Sequence, residues 1–229
     1  MSRRTCGLAV LVSALTGSAL GDDFTVIHAP PAAERTHAEI LSSALGGSFS
    51  SAGLNFNNGS ISAIRNRDIG GIQSTDQVWK QGSYRAKLVA NEEYNRVSAF
   101  GYLDRAHNNH DNLFVSVFDT DTVGTRAIVS PEHQFRWAIQ KTDGEVLTSL
   151  NTDQSGRDMM VSYSLFNTLG QTIGSMLFFE DHRRSNNKDF NDIAVLLTLA
   201  PTPQAAALGL LGLGGMGVLA GRRRRNCVA

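Results

Sequence analysis

The chain has 229 residues, with 21 basic and 21 acidic side chains and two cysteines. The overall balance hides an asymmetry: every acidic residue lies between Asp22 and Asp192, while Arg3, Arg4 and Arg222 to Arg225 stand outside that span. The central ~180 residues are therefore acidic by about six charges, which argues against nucleic acid or anionic lipid as partners and suits divalent cations. Cys6 and Cys227 both fall outside this span, so no disulfide is expected to staple it.

In chain order, Arg3 and Arg4 precede an apolar run from Leu8 to Leu15, and Ala19-Leu20-Gly21 supplies small residues for cleavage. Residues 1–21 thus read as a secretory signal peptide, which places the protein outside the cytoplasm. Residues 22–32 form a short proline-containing lead-in. From Pro31 to Leu45, Ala32, Ala33, Ala38, Ile40, Leu41, Ala44 and Leu45 fall at helical spacing, closed by Gly46-Gly47. Asn57-Asn58-Gly59-Ser60, with Leu54 and Phe56 before it and Ile61 and Ile64 after it, predicts a hairpin.

The remainder reads as strands. Arg96 to Leu103 alternates, with Val97, Ala99 and Gly101 on one face and Ser98, Phe100 and Tyr102 on the other. Leu113 to Phe118 repeats that period. Phe135 to Ile139 and Val146 to Leu150 flank Lys141-Thr142-Asp143-Gly144 as a second hairpin. Met159 to Phe166, Ser175 to Phe179 and Ile193 to Leu199 complete the set, and the last two are apolar enough to lie at a sheet centre. The fold class expected is mostly β, an antiparallel β-sandwich with one short N-terminal helix. Residues 22–95 would form a helix-and-hairpin region leading into or packed on the sandwich, and residues 96–200 its core.

Pro201-Thr202-Pro203 ends the last strand. An uncharged, glycine-rich run from Ala205 to Gly221 and four arginines follow. Proline break, apolar segment near membrane length and basic cluster in that order predict a C-terminal transmembrane sorting tail, residues 201–229, with its arginines on the cytoplasmic side.

The densest chemistry is Phe178-Phe179-Glu180-Asp181, a polar loop, then Asp189-Phe190-Asn191-Asp192-Ile193. Two apolar strands end and begin at carboxylates, and the loop is short enough to bring them together. Glu180, Asp181, Asp189, Asn191 and Asp192 offer hard oxygen ligands suited to Ca2+. With Arg183, Arg184 and Lys188 as counter-charges, the same residues could instead make a salt-bridged Asx turn, and the residues alone leave both readings open.

Other patterns carry less. The segments from Asp119 to Gly124 and from Asn151 to Gly156 begin like calcium loops but lack the closing glutamate, with Ser130 and Ser162 in its place, and read as β-turns. His107, His110 and Asp111, with Asp104 nearby, have zinc-like residue types but no helix to align them, and read as a solvated loop, as does His182. No nucleophile elbow, phosphate loop or dinucleotide fingerprint occurs. Glu92, Glu93, Glu132 and Glu145 could serve a glycoside hydrolase, but no spacing ties them to one cleft.

The pattern Glu180-Asp181…Asp189-Phe190-Asn191-Asp192, with Phe100-Gly101-Tyr102-Leu103 and Leu113-Phe114 upstream, resembles the bacterial extracytoplasmic domain of unknown function 4114. The stretches Glu39-Ile40-Leu41 through Asn58-Gly59-Ser60 and Asp76-Gln77-Val78-Trp79 are similar to lead-ins of such proteins, and the tail resembles PEP-CTERM sorting signals. Thr202 departs from that signal, which has an acidic residue between the prolines. The resemblance implies an extracytoplasmic β-domain in the cell envelope, handled by an exosortase-type sorting machinery and without enzymatic activity. Two functions follow as expectations: a non-enzymatic surface or matrix protein that binds Ca2+, or a carbohydrate-binding module contacting extracellular polysaccharide through Trp79 or Trp137, with Tyr84 and Tyr163. Solvent exposure of the two tryptophans separates them.

Overall fold

A computed structural model describes residues 24–68, 76–92, 96–104, 113–150, 157–181 and 188–200. The predicted signal peptide and sorting tail lie outside the described residues. Among the described residues no helix is long and apolar enough to cross a membrane.

The protein is mostly β, with antiparallel sheets and one short helix. Helix α1 spans His37–Leu45. The strands are β1 Ser50–Ala52, β2 Asn55–Asn57, β3 Ile61–Arg65, β4 Tyr84–Asn91, β5 Val97–Asp104 and β6 Phe114–Asp119. They continue with β7 Arg126–Val129, β8 Phe135–Lys141, β9 Val146–Thr148, β10 Met160–Asn167, β11 Thr172–Phe179 and β12 Ile193–Leu199. One sheet has eight strands in the order β1-β2-β3-β10-β11-β12-β4-β7, and the other four, β6-β5-β8-β9.

The two sheets enclose the main core, where Leu88, Val97, Phe100, Trp137, Ile139, Leu177, Phe179 and Val195 pack together. A second core lies on the other face of the large sheet, where α1 contributes Ile40 and Leu41 against Val161, Met176, Phe178 and Phe190. β11 and β12, the apolar pair, sit inside the large sheet, and because each is covered on both faces its side chains read as a continuous hydrophobic run.

The helix starts later than its periodicity suggests. Thr36 caps it: its hydroxyl accepts from the Glu39 amide, and the Glu39 carboxylate accepts from the Thr36 amide. This reciprocal box fixes the first turn at His37, leaving Ala32 and Ala33 exposed in the lead-in. The Asn57–Ser60 hairpin forms as expected, with Phe56 opposite Ala63 and Gly59 at φ 85°.

β5 departs from strict alternation. Register shifts between Val97 and Ala99 and between Phe100 and Gly101 bring Val97 and Phe100 into the same core, although the two-residue period puts them on opposite faces. Gly101 permits β6 to approach: a Cβ there would lie 2.2 Å from the Val115 carbonyl oxygen.

Strand β4 has no counterpart among the predicted strands. It pairs with β12 on one side and β7 on the other, with Ile193 opposite Asn91, so residues before position 96 form part of the large sheet. That pairing matters for the site, because it brings Asn91 and Glu92 to the end of the sheet where the acidic residues gather.

Candidate metal centre

Strand register builds the acidic site. Phe179 at the end of β11 faces Ile193 at the start of β12. Continuing the antiparallel pairing by one residue sets Glu180 against Asp192, both beyond the last apolar pair. The Asp181 amide donates to Asp192 Oδ2 at 2.7 Å. The Glu180 amide donates to the Met159 carbonyl, and the Glu92 amide to the Asp192 carbonyl. Four chain segments thus meet at this end of the sheet.

Glu180, Asp181 and Asp192 can each present a carboxylate oxygen with all three within 4.8 Å of one another, and Asp189, Asp192 and Glu34 form a second such group. Asp192 belongs to both. All five residues read from the sequence, Glu180, Asp181, Asp189, Asn191 and Asp192, are buried and lie in this region. Glu34 joins them from the lead-in before α1, which the sequence reading missed. Its partners are more than 150 positions away, and no local pattern marks it.

The segment that carries Asp189 is held in an unusual conformation. Lys188 and Phe190 have positive φ, 110° and 53°, although neither is glycine. Three contacts hold it in place. The His28 amide donates to the Lys188 carbonyl, His37 Nε2 lies 3.0 Å from the Phe190 carbonyl oxygen, and Asn191 Nδ2 donates to the Arg35 carbonyl. Phe190 itself is wholly buried in the second core. Apolar packing and these bonds together overdetermine the backbone on either side of Asp189.

The electrostatics are costly. The Asp192 carboxyl is pushed up to about 9, first by burial and then by the charges of Glu180 and Asp181, with a further contribution from Asp189. Arg96 reaches Asp181 only at 3.9 Å and its side chain is half exposed. Lys141 also feels Asp181, but its ammonium is bonded to Glu145 at 2.9 Å. Lys188, expected as a counter-charge, is exposed and makes no ion pair among the described residues, and Arg183 and Arg184 lie outside them. Asp181 Oδ2 and Asn191 Oδ1 are buried and accept no hydrogen bond among the described residues. Leaving such oxygens unserved typically costs about 1–3 kcal/mol each.

The set is all oxygen, which selects a hard cation. Ca2+ holds its ligands at roughly 2.3–2.6 Å, so oxygens on opposite sides of one ion stand about 5 Å apart. The spacing within each triad is compatible with that.

A second group of carboxylates, absent from the sequence reading, lies away from this centre. Asp68 pairs with the buried Arg65, and Asp76 and Asp158 are close enough for their charges to act on one another. The Thr25 amide donates to Asp68 and its hydroxyl to Asp158. Burial is the first cause that raises all three carboxyls, Asp158 to about 7.

Neither tryptophan forms an exposed sugar platform. Trp137 is wholly buried, and Trp79 packs on the main core with its indole N–H donating to the Asp76 carbonyl. Tyr84 and Tyr163 are buried as well. The expected contact through these four residues is corrected accordingly: the sandwich core takes up Trp79, Trp137 and Tyr84, and the core beneath α1 takes up Tyr163. Asp119, which ends β6, and Asp121 are exposed and form no group of carboxylates with metal spacing among the described residues. His107, His110, Asp111, His182, Glu93 and the Asn151–Gly156 turn lie outside the described residues.

No family model matches the chain, and no curated protein matches it. Among solved structures, the C-terminal domain of the BC2L-C lectin from Burkholderia cenocepacia aligns with 55% of this chain and 97% of its own, at 11% identity and a TM-score of 0.32. A likeness that distant carries no argument about what this chain binds.

Proposed function

We propose that the protein is an exported, envelope-associated bacterial protein without enzymatic activity, whose β-sandwich binds Ca2+ between Glu180, Asp181, Asp189, Asn191 and Asp192. The observation that carries the metal reading is the convergence of these buried carboxylates with the unserved oxygens of Asp181 and Asn191. A divalent ion would supply the charge that Arg96 provides only at long range. It would also offset the repulsion from Glu180 and Asp181, which adds to burial in raising the Asp192 carboxyl. Glu34 could add a further oxygen through its triad with Asp189 and Asp192.

Export and attachment rest on the sequence of the ends: the basic-apolar-small leader, and the proline break, apolar run and arginine cluster of the tail. In this reading an exosortase-type machinery handles residues 201–229, and the C-terminal helix holds the protein in the membrane at least transiently. The resemblance to the domain of unknown function 4114 supports the same location. Extracellular polysaccharide is the partner class that an acidic, calcium-loaded surface domain would meet there.

Calorimetric titration of the full chain with Ca2+, with Mg2+ as control, tests the metal reading. Saturable Ca2+ binding that disappears in Asp189→Asn is expected. Absence of binding up to the millimolar range typical of extracellular calcium modules would leave the acidic residues as a structural turn.

A further inference from the structure

On the helix side of the large sheet lies a cavity of about 530 Å³, between the lead-in segment, the start of α1 and the Gly53-Leu54 turn. That volume is in the range that encloses a small organic molecule, roughly 300–1,000 Å³. We propose that it binds a small uncharged amphiphile, with an aromatic or short aliphatic body and a hydroxyl-type polar end.

The walls dictate the body. Val26, Ile27, Leu54 and Phe56 line the cavity, and Val26 and Leu54 remain 67% and 39% exposed at its rim. These apolar side chains stand over space that the lead-in cannot fill by collapsing. Its Thr25 is tied to Asp68 and Asp158, and its His28 to the Lys188 carbonyl. The cavity is thus held open by bonds on both sides rather than by loose packing.

The polar lining dictates the absence of charge. His37 is buried, and its Nδ1 and Nε2 engage the Tyr163 hydroxyl and the Phe190 carbonyl. Both ring nitrogens are thereby occupied within the fold, so His37 holds out no free group to an anionic ligand. The Arg65 guanidinium also lines the cavity, but its charge is committed to Asp68 by a two-point ion pair. An organic anion would therefore find no unpaired cation and would meet Asp189, while an organic cation would meet Arg65 and would have to share a carboxylate already grouped with Glu34 and Asp192. A neutral hydroxyl can donate to a remaining lone pair of the Thr36 or Tyr163 hydroxyl, whose own protons go to Glu39 and His37, without displacing an ion pair. The inference needs no bound cation, so it stands or falls separately from the calcium reading.

The test is fluorescence titration of the full chain with N-phenyl-1-naphthylamine, an uncharged aromatic probe that brightens in apolar surroundings. Saturable binding is expected, displaced by monomeric octyl glucoside at concentrations where octanoate and octylammonium have little effect. Leu54→Trp should fill the cavity from its rim and weaken the probe at least tenfold without lowering the melting temperature. The variant keeps both apolar ends of the chain, so any probe held by them would persist in it. Should Leu54→Trp fail to fold, Val26→Trp makes the same test from a more exposed position. Unsaturable binding, wild-type affinity in the folded variant, or equal displacement by the charged amphiphiles would each overturn the proposal.

Discussion

Replacing Asp192 by asparagine separates a calcium site from a self-satisfied acidic turn, because the two predict different dependence on the ion. Asparagine keeps the shape of the side chain and an oxygen that can accept from the Asp181 amide, as Asp192 Oδ2 does at 2.7 Å. Without Ca2+ at pH 7, the wild-type carboxyl already holds a proton, since burial and its acidic neighbours raise it to about 9. The substitution should then change the melting temperature of the chelated protein little. With Ca2+ the comparison reverses. An ion that binds only the folded state stabilises it by about 2.7 kcal/mol at a hundredfold excess over Kd. At about 2–4 °C per kcal/mol for a domain of this size, the wild type should gain roughly 5–10 °C. Asp192→Asn should lose most of that gain, because Asp192 is common to both carboxylate triads. The assay is a calorimetric melt of the full chain in chelator, millimolar Mg2+ and millimolar Ca2+ at matched ionic strength. A salt-bridged turn instead requires an ionised Asp192, so the variant would melt lower by the same amount in all three conditions. That pattern, or a wild type indifferent to Ca2+, refutes the metal reading.

Asp158 is raised to about 7, chiefly by burial, so the stability it contributes is complete below its ordinary value of 3.8 and is lost as pH rises through about 7. Chelated wild type should melt lower at pH 8 than at pH 5.5, and Asp158→Asn should lessen that slope in a pH series of melts, leaving the part that the raised Asp192, Asp68 and Asp76 carboxyls contribute. Gly101→Ala should destabilise the protein by roughly 1–3 kcal/mol in urea, because the added methyl would meet the Val115 carbonyl oxygen at 2.2 Å. Deleting residues 201–229 should move the protein from the membrane fraction to the medium, and identical fractionation would remove the tail as an anchor. Reductant should leave the melting temperature unchanged, since the chain's two cysteines, Cys6 and Cys227, stand outside the span of the sandwich's helix and strands.

How far the sequence could be read depended on whether a signal was local. β11 and β12 announce themselves because every side chain in their cores is apolar, and hairpin turns announce themselves through Asn58-Gly59 and Asp143-Gly144. β4 hides its two-residue period because the fully buried Ala86 and Ala90 carry little hydrophobic signal, and because a register shift opposite Ala194 and Val195 sends Leu88 to the main core and Ala90 to the second. In β5 the bulges break the period itself: Phe100 reaches the main core through a register shift that only the partner strands reveal.

The acidic centre divides along the same line. Glu180, Asp181, Asp189, Asn191 and Asp192 were legible because two apolar strands end and begin at them, and an antiparallel connection must return those ends to one place. Glu34, and the Asp68, Asp76 and Asp158 group, assemble from segments distant in sequence, so no window contains them. The strain at Lys188 and Phe190 was equally hidden, since neither residue type advertises positive φ. Yet it is this backbone, pinned by His28, His37 and Arg35, that fixes where the Asp189 carboxylate stands. A turn needed only to connect β11 to β12 could use glycine at those positions at less cost. The chain instead buries Phe190 and holds two non-glycine residues in positive φ around one aspartate, a rigid placement that the proposed cation site would use.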